Sequence, residues 1–125
     1  MKYTKLLCKI LPFFLLLISC NNAETDKNKK MIIGNWSGAE WLIDGKPSNH
    51  NIQSTAFSFD DKGKYSFDYA GTKEEGTYKI ENDMLYTTAS KKLEIMVKIT
   101  KLTQDSLVFD MNNTGQAETM TLLRK

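Results

Sequence analysis

From Gly34 onward, apolar side chains recur at every second position. Phe57 and Phe59 alternate with Ala56 and Ser58; Tyr65, Phe67 and Tyr69 alternate with Ser66 and Asp68; Tyr78 and Ile80 flank Lys79. Leu93, Ile95, Val97 and Ile99 alternate with Glu94, Met96 and Lys98; Leu107, Phe109 and Met111 follow the same rule, as do Met120 and Leu122. Period two is the pattern of a strand that buries one face. The β-branched residues of 93–102 favour a strand there over a helix. Turn formers separate the runs, among them Asp44-Gly45-Lys46-Pro47, Asp60-Asp61-Lys62-Gly63, Glu81-Asn82-Asp83 and Asn112-Asn113-Thr114-Gly115. The pattern predicts eight strands, at 34–43, 52–59, 64–69, 76–80, 84–88, 93–102, 106–111 and 117–124. Met31-Ile32-Ile33 is expected to form a short turn that plugs one end.

Alternate connections are the longer ones. In an antiparallel up-and-down sheet, alternate connections lie at the same end. The fold class is therefore all-β: an eight-stranded antiparallel barrel with tight turns at its floor and longer loops at its mouth, namely 44–51, 70–75 and 112–116. Closure also removes the two exposed edges of an open sheet. Phase then divides the inward side chains. Trp36, Phe59, Tyr65, Ile80, Leu85, Ile99, Leu107 and Leu122 fall near the floor. Phe57, Phe67, Tyr69, Tyr78, Ile95, Phe109, Met111 and Met120 fall near the mouth, where they form either plain core or a pocket with tyrosine hydroxyls as polar handles. The first strand breaks the alternation. With Trp36 inside, strict period two puts Glu40 inside and Trp41 outside; a bulge at Gly38 reverses both and is the preferred reading.

The N-terminal third differs in kind. Lys2, Lys5 and Lys9 precede an apolar run from Ile10 to Ile18. Nine residues fall well short of the roughly 20 that a membrane-spanning helix needs, so residues 1–19 read as an export signal. Residues 20–30 are polar and mixed in charge, and read as a flexible tether; residues 31–125 form the barrel domain. Leu17-Ile18-Ser19-Cys20 resembles the lipobox of bacterial lipoproteins. That resemblance implies cleavage before Cys20, lipidation of Cys20 and attachment to a membrane of the bacterial cell envelope. Asn21 stands where an inner-membrane retention signal would show Asp, which favours the outer membrane.

Charge and chemistry narrow the function. Without the three leader lysines, 14 basic side chains face 15 acidic ones, which is no footprint for nucleic acid. The cysteines are Cys8, in the leader, and Cys20, so neither a disulfide nor a thiolate metal site is expected. His50 is the single histidine, too few for a multi-histidine metal site or a His-based triad. It falls in the longest loop, where it either is solvated or touches a ligand at the mouth. Asp60-Asp61 and Glu74-Glu75 are expected in turns, away from the cup. These observations predict no catalytic residue, no metal and no cofactor.

Gly34-Asn35-Trp36 at the start of the first strand is similar to the Gly-x-Trp motif of lipocalins. Phe57-Ser58-Phe59, Gly63-Lys64-Tyr65, Gly76-Thr77-Tyr78 and Asp105-Ser106-Leu107-Val108-Phe109 resemble the short lipocalin-like domains of Bacteroidetes-type lipoproteins. The resemblance covers Ile33 to Arg124. It implies that Arg124, the single arginine, packs over Trp36. It also leaves this short domain without the helix that usually flanks a lipocalin barrel. The expected function is binding of a small apolar ligand by Phe57, Phe67, Tyr69, Tyr78, Ile95, Phe109, Met111, Met120 and His50. The alternative is a filled barrel that presents its loops to a protein partner at the envelope.

Overall fold

A computed structural model describes residues 20–125, with side chains from Ala23 onward. The export signal read over residues 1–19 lies outside the described residues. Helix α1 (Cys20–Ile32) comes first, followed by β1 (Gly34–Ile43), β2 (Lys46–Pro47), a single 3-10 turn (Ile52–Ser54), β3 (Thr55–Phe59) and β4 (Lys64–Tyr69). Then come β5 (Thr72–Glu81), β6 (Met84–Ala89), β7 (Glu94–Leu102), β8 (Ser106–Asn113) and β9 (Gln116–Arg124). Each strand from β3 onward pairs antiparallel with the next, and β1 pairs with both β3 and β9. Eight strands thus close a barrel, and β2 adds a two-residue hairpin to the end of β1.

The break in alternation along β1 is a bulge. Its register against β9 shifts between Gly38 and Glu40, with Gly38 opposite Leu122 and Glu40 opposite Thr121. The extra residue turns Trp41 into the barrel and leaves Glu40 exposed. The lower half is filled by Trp36, Phe59, Tyr65, Ile80, Leu85, Ile99, Leu107 and Leu122, all buried.

Three expectations need correction. Residues 20–30, expected as a flexible tether, form most of α1, and the barrel does have a helix against it. The segment is polar, yet it holds on by specific bonds: Asn28 Nδ2 donates to Asn82 O at 2.7 Å, and the Asn82 backbone N–H donates to Thr25 Oγ1 at 2.8 Å. Ile32, fully buried, closes the floor as the last residue of α1. The second correction concerns the mouth. The segments 70–75 and 112–116 are not loops; β5, β8 and β9 run on to the two-residue turns Ala70-Gly71 and Thr114-Gly115. All four of these turn residues have positive φ, the geometry that matches strand twist in a tight hairpin. Third, the stretch read as a strand from residue 52 begins with the 3-10 turn, and β3 starts only at Thr55.

Candidate functional site

The floor explains the Gly-x-Trp pattern physically. Trp36 is fully buried and its Nε1 donates to Ile32 O at 2.8 Å. The Arg124 guanidinium carbon lies 4.2 Å from the Trp36 ring centroid. Its nitrogens donate to Ile33 O at 2.8 Å and to Met31 O and Gln104 O. Arg124 therefore covers the tryptophan and satisfies carbonyls at the end of α1, where cations are favoured. Gly34 has φ of 134°, and a Cβ on it would come within 2.5 Å of the Arg124 guanidinium. Only glycine leaves room for the arginine here.

Above this plug the barrel is not full. An apolar cavity of about 160 Å³ is walled by Trp41, Phe57, Tyr65, Phe67, Glu74, Leu85, Thr87, Ile95, Val97, Phe109, Met111 and Met120. Phe57 stacks on Phe67 at 4.5 Å between centroids and meets Phe109 edge-on at 5.8 Å. A groove on the outer wall, over Ser58, Lys64 and Ser66, is larger at about 350 Å³, but it is open to solvent.

Of the nine residues expected to bind a ligand, six line this cavity: Phe57, Phe67, Ile95, Phe109, Met111 and Met120. His50 and Tyr69 stand at the rim. The His50 ring stacks on Trp41 at 4.0 Å, and its Nδ1 lies 3.1 Å from the Tyr69 hydroxyl. Tyr78 is not at the mouth. Because β5 begins four residues earlier than expected, Tyr78 falls near the floor, where its hydroxyl donates to Asp60 O and its ring meets Phe59 edge-on. The opening is also displaced from the expected loops. Ile95 lines the cavity and is still 56% exposed, and Leu93 beside it is 89% exposed. The cavity thus opens toward the turn between β6 and β7.

Sequence reasoning missed Glu74. Expected in a turn, it stands on β5 in phase with Gly76, Tyr78 and Ile80, and so on the inner face, while Glu75 points out. No apolar side chain marks Thr72 to Glu75, so the sequence carried no periodic signal for it. Lys92 Nζ sits 3.1 Å from Glu74 Oε1 at the rim. Tyr65 lies below; burial first, then the Glu74 charge, raise its pKa above the ordinary tyrosine value, against a hydrogen bond with Thr87. Trp41 Nε1 is buried with no hydrogen-bond partner. Among the described residues, no group of three or more His, Cys, Asp or Glu side chains is placed to hold a metal ion.

The lipocalin-like domain model matches residues 32–109. The chain belongs to the lipocalin-like domain family. Among solved structures, it is similar to a lipocalin-like protein from Bacteroides uniformis ATCC 8492, at 18% identity and a TM-score of 0.58. That match covers 75% of this chain and 97% of the other. At such identity the likeness speaks for the shared barrel alone. Among curated proteins, no sequence matches the chain.

Proposed function

We propose that this lipocalin-like barrel is a non-catalytic binding protein that takes a small apolar molecule into its upper half. One observation carries the reading: the floor is packed shut while the cup above it keeps an apolar void of about 160 Å³. Typical small-molecule pockets span roughly 300–1,000 Å³, so the cup is too small for a bulky lipid. An apolar cavity of about 150 Å³ stays dry and admits benzene. The fitting ligand is therefore a single-ring or short aliphatic compound, or one apolar group of something larger.

In this reading the protein is a lipoprotein held at Cys20, most simply in the outer membrane. The helix that starts at Cys20 packs against the floor, so the lipid would face the closed end and the mouth would face away from the bilayer. Ligand would come from the aqueous side. The rival reading, a barrel that serves a protein partner, draws its support from the exposed apolar row Leu93, Ile95 and Met96. Calorimetric titration with toluene separates the two. Toluene should bind the full chain carrying Cys20→Ser, and Met111→Trp, which fills the cup, should abolish binding. Absence of binding to the unfilled barrel would leave the partner reading.

A further inference from the structure

Polar side chains that this fold buries find their partners within it. Thr55 Oγ1 donates to Asn51 O, Trp36 Nε1 to Ile32 O and Asn28 Nδ2 to Asn82 O. Trp41 Nε1 is the exception. Among the described residues it is the one buried side-chain nitrogen or oxygen with no hydrogen-bond partner. A buried donor left without an acceptor costs about 1–3 kcal/mol, and in a native fold such a group calls for an explanation.

The surroundings of the ring indicate what completes it. The bulge between Gly38 and Glu40 turns Trp41 inward, and its indole forms part of the cup wall with Phe57, Phe109 and Met120. From the rim, His50 lies flat against the indole at 4.0 Å and Tyr69 stands edge-on to it at 5.9 Å. The residue as a whole is only partly buried. It has the cup on one side and, on the other, a hollow of about 180 Å³ between β1 and the loop that carries His50. A small tilt therefore brings Nε1 to an acceptor seated in the cup.

The rest of the wall selects the kind of acceptor. Glu74 lines the cup and no lysine or arginine does, so an anionic head is disfavoured by the like charge. Among the described residues, no buried side-chain acceptor stands unpaired, so a ligand O–H or N–H meets no waiting partner beside Trp41. A neutral group that accepts and does not donate fits, as the carbonyl of a ketone, aldehyde or ester does.

We propose that the ligand of the cup is a neutral one-ring carbonyl compound, its ring among Phe57, Phe67 and Phe109 and its carbonyl oxygen accepting from Trp41 Nε1. This deepens the reading of the cup as an apolar binding site and rests on it. The cavity sets the size of the ring, and Trp41 sets the polar group that the ring carries.

The test uses acetophenone and α-methylstyrene, two probes of nearly the same shape, one with an oxygen where the other has a methylene. They are added to the full chain carrying Cys20→Ser, isotope-labelled at nitrogen for magnetic resonance. The two tryptophans give two indole N–H signals, and Trp41→Phe identifies them. The Trp41 indole proton should lie further downfield with acetophenone bound than with α-methylstyrene bound, as a newly made hydrogen bond requires. The Trp36 signal, already bonded to Ile32 O, should be the same with both. In calorimetric titration, Trp41→Phe should weaken acetophenone about fivefold more than α-methylstyrene, the loss of one hydrogen bond. A Trp41 signal that does not distinguish the two bound probes, or an equal loss for both in the variant, overturns the carbonyl proposal and leaves the apolar cup standing. If neither probe binds, the cup reading fails with it.

Discussion

Arg124 shows how much of the floor depends on one side chain. It stacks on Trp36 and donates to carbonyls of Met31, Ile33 and Gln104. Arg124→Ala should remove about 2 kcal/mol from a cation–π contact and helix-end hydrogen bonds together. Urea unfolding monitored by Trp36 fluorescence checks this. Tyr78 and Tyr65 predict a response to alkali. Burial holds the pKa of each above the ordinary value of 10.0, and at Tyr78 the nearby Asp60 and Asp61 charges add to it. A folded pKa that is raised gives stability that is complete below the unfolded value and lost as pH rises past it. Stability should therefore fall above about pH 10. Tyr78→Phe should cost about 1 kcal/mol at neutral pH through its lost hydrogen bond, yet show a shallower fall between pH 9 and 11. An equal fall in both proteins would count against the assignment.

At the scale of elements, period two located the barrel strands because each of them buries one face. Phase alone also placed the floor core, and the clash between Trp36 and Trp41 pointed to the bulge. The pattern gave out where polar residues carry on a strand. Thr72 to Glu75 contain no apolar side chain, so the start of β5 was not legible, and Glu74 and Tyr78 were misplaced along the barrel axis with it. Residues 20–30 offered no apolar stripe, and α1 is held instead by Thr25 and Asn28 on the Asn82 turn and by Ile32 at its end. Such side chain to backbone bonds leave no periodic trace. Ile32→Ala should cost about 2–4 kcal/mol. Hydrogen exchange should then show α1 amides losing protection before the barrel strands do; simultaneous loss would mean that helix and barrel form one cooperative unit.

For the whole molecule, the closed floor, the docked helix and the open mouth define a direction. If Cys20 carries the proposed lipid, the packed end would face the membrane and the cup would face solvent. Cys20→Ser should move the protein from carbonate-washed membranes to the released fraction, and a variant that stayed with the membranes would argue against the anchor. The proposed binding function depends on an upper barrel that holds an apolar space rather than side chains. A crystal pressurised with xenon tests it most directly. The account predicts a xenon atom enclosed by Phe57, Phe67, Phe109 and Met120. A barrel with no xenon at that position, its interior filled by those same side chains, would contradict it.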